Sequence, residues 1–324
     1  MNSQAELIAI VNQYIEKMQY NPQPEGLYAP IKYVLSLGGK RIRPVLMLMA
    51  YNLYKDDIQT IMPNAIALET YHNFTLLHDD LMDKADMRRG NPTVHKKWDE
   101  NTAILSGDTM FAMAWQYFLR QPHPQLQAIL QCFNKTAIEV CEGQQYDMNF
   151  EKRDDITIED YMMMIRLKTA VLLAGALKIG ALYANAPQAD IESLYDFGIH
   201  LGLAFQLQDD LLDGYGDVAV FGKQTGQDIR DNKKTYLYLR ALQIASPEQQ
   251  KALRDHFSST PENSDAKVAA VLDIYQSIGL RDKIEEAIQK EFSLAQECLQ
   301  KVHVSEEKKR PLHELMEALL GRKK

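Results

Sequence analysis

The sequence predicts an all-α protein, a single large helical bundle over residues 1–324, and three observations carry that reading. Apolar residues recur at helical rather than alternating spacing, and stretches that read as strands are scarce. Long segments run without Gly or internal Pro and are closed by recognisable stop signals. The connections between them are mostly short, as in an antiparallel bundle, and no Pro-, Gly- or Ser-rich linker divides the chain.

Pro63 to Ala85 reads as one helix, with Pro63 in the first turn, where a missing N–H costs nothing. Asn101 to Arg120 is the next, stopped by Pro122 and Pro124. Gln125 to Asn149 follows. Thr157-Ile158-Glu159-Asp160 has the form of a capping box and opens a helix running to about Tyr183. Pro187 to Asp213 is a further long helix, with amphipathic helices beyond it to the C-terminus. Gly214, Gly216, Gly222 and Gly226 punctuate a connection that also carries Asp217, Lys223 and Asp228, and its place after an acidic helix end marks it as functional.

Composition narrows the function. Of 324 residues, 46% are hydrophobic and 25% charged, with 36 Lys and Arg against 44 Asp and Glu, so the net charge is −8. That describes a folded chain with ample core, and it excludes disorder. The acidic balance speaks against a nucleic-acid partner. Cys132, Cys141 and Cys298 have neither zinc-ligand nor disulfide-framework spacing, which fits a reducing compartment. The first residues show no signal-peptide pattern, and the best uncharged apolar run, Ala170 to Leu177, is far too short to span a bilayer. A cytoplasmic protein is expected.

The chemistry-bearing residues are acidic and basic clusters. Two of the Asp-Asp doublets, Asp56-Asp57 and Asp154-Asp155, lie in polar connections and read as solvated charge. The other two, Asp79-Asp80-Leu81-Met82-Asp83 and Asp209-Asp210-Leu211-Leu212-Asp213, share the pattern DDLxD, and each ends a long apolar helix. Their first and last Asp lie one turn apart on one face, where like charges repel unless cations neutralise them. All-oxygen ligands favour a hard cation such as Mg2+ or Ca2+. Mg2+ takes one or two carboxylates and fills its shell with water and phosphate oxygens, which makes a phosphorylated substrate the third party. Gly38-Gly39-Lys40-Arg41-Ile42-Arg43-Pro44 packs three cations into a glycine-led turn suited to phosphate, and Arg88-Arg89-Gly90 follows the first acidic motif. His72 precedes Asp79 by two helical turns on nearly the same face.

The motifs GGKRIRP, HNFTLLHDDLMD, RRGNPT, KTA, FQLQDDLLD and GKQTGQD stand in this order between Gly38 and Tyr236. In that order they resemble the trans-type polyprenyl diphosphate synthases of the farnesyl/geranylgeranyl class. The resemblance implies an isoprenoid-synthase-like fold around a central apolar cavity, with the aspartate motifs facing each other across its mouth. It implies Mg2+, three ions in this family, and head-to-tail condensation of isopentenyl diphosphate with an allylic diphosphate by a prenyltransferase. It makes Asp79, Asp83 and Asp209 the main metal ligands, supported by Asp80, Asp210 and Asp213 directly or through water. Lys40 and Arg43 on the turn led by Gly39, with His72 and Arg89, would hold isopentenyl diphosphate. Arg88, Lys168, Lys223 and Lys233 would hold the allylic diphosphate, and Thr169 and Gln206 would line the path of the developing cation. Arg322, Lys323 and Lys324 resemble the basic tail that some members fold over the site, and a homodimer is implied.

Product length is read from Phe74 and Tyr71, five and eight residues before Asp79. At the helical rise they lie roughly 7.5 and 12 Å down the axis and share a face. Two aromatics there resemble the block that stops chains at C15 or C20. Thr75 is not the second adjacent aromatic of animal-type farnesyl synthases, and the first motif lacks the insertion of many bacterial ones. C15 and C20 stay open, with C20 favoured. A longer-chain synthase is the nearest rival. A terpene cyclase would carry Asn, Ser or Thr and Glu in its second motif, and a non-catalytic partner subunit would have degraded motifs. A di-metal oxidase would need paired Glu-x-x-His ligands, which Glu69 and His72 match only once.

Overall fold

The computed structural model describes residues 2–216, 226–258 and 264–321. Within them the protein is all-α, as its periodicity predicts, apart from a two-residue antiparallel pair, Met87–Arg88 with Asn91–Pro92. The chain divides into two compact units. One comprises Met1–Phe133, Ala176–Ile191 and Val304–Leu312, the other Asn134–Gly175, Glu192–His303 and His313–Lys324.

The first unit opens with α1 (Gln4–Glu16), α2 (Glu25–Ser36) and α3 (Ile42–Asn52). Ser3 caps α1 through a reciprocal box with Glu6. Helix α3 is apolar over most of its circumference, and Val45 to Ala50 are fully buried. Helix α4 (Met62–Met82) starts with proline in its first turn, as the sequence predicts. It stops three residues before Ala85 because Asp83 is its C-cap and Lys84 takes a left-handed conformation, φ 52°. A short turn α5 (Val94–Lys97) leads into α6 (Glu100–Leu119), capped by Asp99 and packed broadly along α4.

In the second unit α7 (Leu126–Glu151) contributes its residues from Asn134 onward. Thr157 and Asp160 form the expected capping box and start α8 (Ile158–Ile165). The helix expected to run unbroken to Tyr183 is interrupted after Ile165. Arg166–Ala170 is a π-turn, and α9 (Val171–Tyr183) resumes beyond it, its residues from Ala176 belonging to the first unit. The backbone at Lys168 passes so close to Gly143, and that at Ala170 so close to Gly202, that neither glycine has room for a side chain. A π-turn adds a residue to the local helix and re-aims its side chains, a device common at functional sites. Helix α10 (Gln188–Tyr215) carries the second acidic motif and extends through Gly214, beyond its expected end at Asp213. Among the described residues beyond it are helices Gln227–Arg230, Tyr236–Ile244, Pro247–Phe257, Ser264–Ser277 and Leu280–Gln300, and Glu306–Leu320, whose residues to Leu312 belong to the first unit.

Candidate active site

The glycine-led turn sorts its three cations. Gly38 (φ 75°), Gly39 (φ 131°) and Arg41 (φ 49°) are all in left-handed backbone, so the chain reverses sharply before α3. That reversal sends Arg41 inward, to 4% exposure. Its guanidinium meets Glu69 Oε1 at 2.6 Å, and donates to Asn12 Oδ1 at 3.0 Å and to the Leu35 carbonyl at 2.7 Å. Arg41 therefore holds α1, α2 and α4 together and is not a phosphate ligand. Of the three cations in the turn, Arg41 is thus taken up by the fold, and Glu69, which matches the Glu-x-x-His spacing with His72 only once, is its ion-pair partner. Lys40 is exposed.

Arg43 Nη1 lies 3.0 Å from His72 Nε2. A guanidinium can only donate, so Nε2 accepts and the imidazole proton sits on Nδ1. Burial, with Arg43, Arg89, Arg88 and Arg41 nearby, keeps His72 neutral by pushing its pKa well below the usual imidazole range. Burial also lowers Arg43, to about 10. Arg43 Nε and His72 Nδ1 are buried donors with no partner among the described residues. Such a pair invites an anion. Arg89 reaches the same turn: Nη1 donates to the Gly38 carbonyl, and a Cβ on Gly39 would lie 2.7 Å from Nη2. Gly39 thus makes room for a guanidinium.

Arg88 is differently engaged. Its Nε lies 2.8 Å from both oxygens of Asp80, and Nη2 is 2.7 Å from Oδ1. The middle aspartate of the first motif, 5% exposed, is neutralised by this fork. Asp79 is half-buried and Asp83 exposed. The hairpin carrying both arginines is tied to α2 by Tyr33, whose hydroxyl donates to the Pro92 carbonyl at 2.8 Å, with Lys97 Nζ 3.8 Å from the Tyr33 ring.

Below the first motif, Tyr71 and Phe74 meet at 5.5 Å between ring centroids. Phe111 joins both, at 5.9 and 5.5 Å, and Phe133 stands edge-on to Tyr71 at 5.3 Å. Tyr71 is fully buried and Phe74 half-buried. The expected aromatic pair is thus part of a larger cluster. Phe111 and Phe133 were not legible as members because other elements bring them in.

In the second unit the π-turn aims Lys168 at Asp147, Nζ to Oδ2 2.5 Å, and Thr169 at Gln206, whose Oε1 accepts from Oγ1 at 3.2 Å. Gln206 Nε2 donates to Asp210 Oδ1 at 3.1 Å, and the Tyr161 hydroxyl donates to Asp210 Oδ2 at 2.5 Å. Asp210 is 3% exposed, and Asp209 and Asp213 are half-buried. Burial, with Asp228 nearby, pushes the Asp210 carboxyl well above the usual range, partly offset by the two hydrogen bonds. The middle aspartate of each motif is thus held by protein. Asp213 also accepts from the backbone N–H groups of Gln227 (3.2 Å) and Asp228 (3.0 Å), capping helix Gln227–Arg230.

A cleft of about 130 Å3 gathers Asp147, Lys168, Thr169, Gln206, Asp228 and Lys233. Asp147 and Tyr161 escaped the sequence reading because a single Asp or Tyr on a helix carries no spacing signal. Lys223 and the tail Arg322, Lys323 and Lys324 lie outside the described residues, as do Asp217 and Gly222. Among the described residues no three Asp, Glu, His or Cys side chains cluster to hold a metal by themselves. The carboxylates that each acidic motif leaves half-buried or exposed, Asp79 and Asp83 in the first and Asp209 and Asp213 in the second, are all-oxygen donors, which suit a hard cation that completes its shell with phosphate oxygens and water.

Asp228 gives a pH prediction. Burial, with Asp213 close by, raises its carboxyl to about 7. A folded-state pKa above the unfolded value means stability is lost as pH rises toward the folded pKa. In EDTA, Asp228→Asn is expected to raise the melting temperature most at pH 8. The gain should shrink as pH falls from 7 toward 4 and vanish below about pH 3, because there both states carry the proton. A gain independent of pH would remove the buried charge as its cause.

The sequence model of the polyprenyl synthetase family matches residues 24–275. The chain is 43% identical to a short chain isoprenyl diphosphate synthase of Methanocaldococcus jannaschii, over 74% of this chain and 73% of that one. It is 39% identical to a geranylgeranyl diphosphate synthase of Methanosarcina mazei, over 72% of each. A crystal structure of a geranylgeranyl pyrophosphate synthase superposes with a TM-score of 0.95 at 42% identity, covering 100% of both chains.

Proposed function

We propose, from the premise that the chain belongs to the polyprenyl synthetase family, that it is an Mg2+-dependent prenyltransferase. It condenses isopentenyl diphosphate head to tail with allylic diphosphates to a short-chain all-trans product, C20 favoured over C15. Residues 1–324 act as one catalytic domain, since the family match runs through 24–275 without a break.

The observation that carries this reading is the pair of buried donors, Arg43 Nε and His72 Nδ1, which meet no acceptor among the described residues. With Lys40 and Arg89 they suit the diphosphate of isopentenyl diphosphate. Lys168, Lys233, Lys223 and the remaining N–H groups of Arg88 take the allylic diphosphate. Asp79, Asp83 and Asp209 hold Mg2+, three ions in all, with Asp213 in support. When bound, Mg2+ supplies Lewis-acid stabilisation to the departing diphosphate. The cationic side chains add electrostatic stabilisation to the same leaving group. Thr169 and Gln206 present oxygens to the allylic cation, and the apolar wall excludes water that would quench it. The alkene of isopentenyl diphosphate attacks, and the released diphosphate takes the final proton, so no enzyme nucleophile is required.

Phe74 and Tyr71, with Phe111 behind them, form the floor. Phe74→Ala is expected to extend the product by at least one isoprene unit, read by mass spectrometry. An unchanged distribution removes Phe74 from the floor. A homodimer is supported by the exposed apolar side chains of α6, Ile104, Leu105 (60% exposed) and Leu119 (58% exposed). The spacing of Cys132, Cys141 and Cys298, which is not that of a disulfide framework, supports a cytoplasmic location. No helix among the described residues is long and apolar enough to cross a membrane.

The test is a product assay with Mg2+, isopentenyl diphosphate and C5, C10 or C15 allylic diphosphates. Products ending at C20 support the whole reading. Longer products keep the chemistry and overturn the floor, and no condensation with any primer overturns the activity.

A further inference from the structure

We infer that Tyr161 is a positioning residue for prenyl transfer: acting through Asp210, it dictates which end of the Gln206 amide faces the reacting cation. The inference rests on the prenyltransferase reading above.

The geometry is a hydrogen-bonded chain within one unit. Tyr161, 3% exposed, donates to one Asp210 oxygen at 2.5 Å, and Gln206 Nε2 donates to the other at 3.1 Å. With the Tyr161 hydroxyl on Oδ2, Oδ1 accepts from the Gln206 amide, so Gln206 turns its NH2 toward Asp210 and its carbonyl oxygen away. Thr169 donates to that oxygen at 3.2 Å, which also leaves the hydroxyl's lone pairs outward. Gln206 and Thr169 both line the cleft that holds Lys168 and Lys233. An amide oxygen there attracts an allylic cation, whereas an amide N–H would repel it. An unrestrained amide can present either end. Asp210 imposes the choice, and Tyr161, by engaging its second oxygen, stops the carboxyl from rotating. On this account Asp210 works on Gln206 and is not a direct metal ligand.

The variants are Tyr161→Phe, Asp210→Asn and the double variant Asp210→Asn/Gln206→Glu, in the full chain. Tyr161→Phe keeps the ring and removes only the hydroxyl. It is expected to lower kcat about tenfold while the KM for isopentenyl diphosphate stays within about twofold. In Asp210→Asn, an amide whose oxygen stays on Tyr161 offers N–H to Gln206 and flips it. Turnover should fall further, by about 100-fold. Glu at 206 has oxygen at both ends, so the double variant should recover about tenfold of that loss. Mn2+ binding in the presence of inorganic diphosphate, read by electron paramagnetic resonance, should match wild type in all three variants and weaken in Asp209→Asn.

Unchanged turnover in Tyr161→Phe, or no recovery in the double variant, overturns the inference. Weakened Mn2+ binding in Tyr161→Phe or Asp210→Asn also overturns it, by making Asp210 a ligand. If Asp210→Asn does not fold, Tyr161→Phe decides alone through turnover and Mn2+ binding. An inactive wild type would instead overturn the prenyltransferase reading, so the two failures are distinct.

Discussion

Asp79→Ala is expected to lower kcat by about 10³ at saturating Mg2+ without loss of stability. The two halves of this expectation have one physical origin. Asp79 and Asp83 stand in the last turn and at the C-cap of α4, the negative end of the helix dipole. Carboxylates are disfavoured there, and the pair sits one turn apart on one face, where the two repel. Removing one relieves both penalties, so the melting temperature in EDTA should hold or rise. Residues unfavourable to the fold yet suited to a cation mark a functional site. Near-normal turnover would sink the metal assignment, and a large fall in melting temperature would make Asp79 structural.

Arg41→Ala is expected to destabilise the protein by about 3–5 kcal/mol, measured by urea unfolding. Arg41 and Glu69 are both almost fully buried, with side-chain exposures of 2% and 3%, and removing the cation leaves a carboxylate without its partner in the core. Lys40→Ala, one residue away and exposed, should leave stability unchanged and instead raise the KM for isopentenyl diphosphate. If Arg41 were a phosphate ligand the pattern would reverse, with affinity lost and stability kept. Arg41→Met with Glu69→Leu should recover most of the loss, since an apolar pair of similar volume replaces a buried ion pair at little net cost.

What the sequence by itself determined lies within one turn of helix. The first-turn proline of α4, the Thr157–Asp160 box and the long run of α10 were legible because caps and periodicity act over three or four residues. So was the pairing of Asp79 with Asp83, a consequence of helical spacing alone. The family's motifs, in order, are the ground on which the remaining site residues are proposed. What only the tertiary structure decided is which way each charged side chain faces. Arg41 and Arg43 are two residues apart, yet the left-handed turn buries one against Glu69 and aims the other at His72. Asp80 and Asp210 belong to the acidic motifs, yet Arg88 and Tyr161 hold them in the protein. The π-turn that aims Lys168 and Thr169 packs its backbone against Gly143 and Gly202, far away in sequence. Local spacing sets where a side chain emerges from its helix. Whether it then meets a partner, a ligand or water depends on surfaces that packing brings from elsewhere in the chain, and no local pattern encodes them.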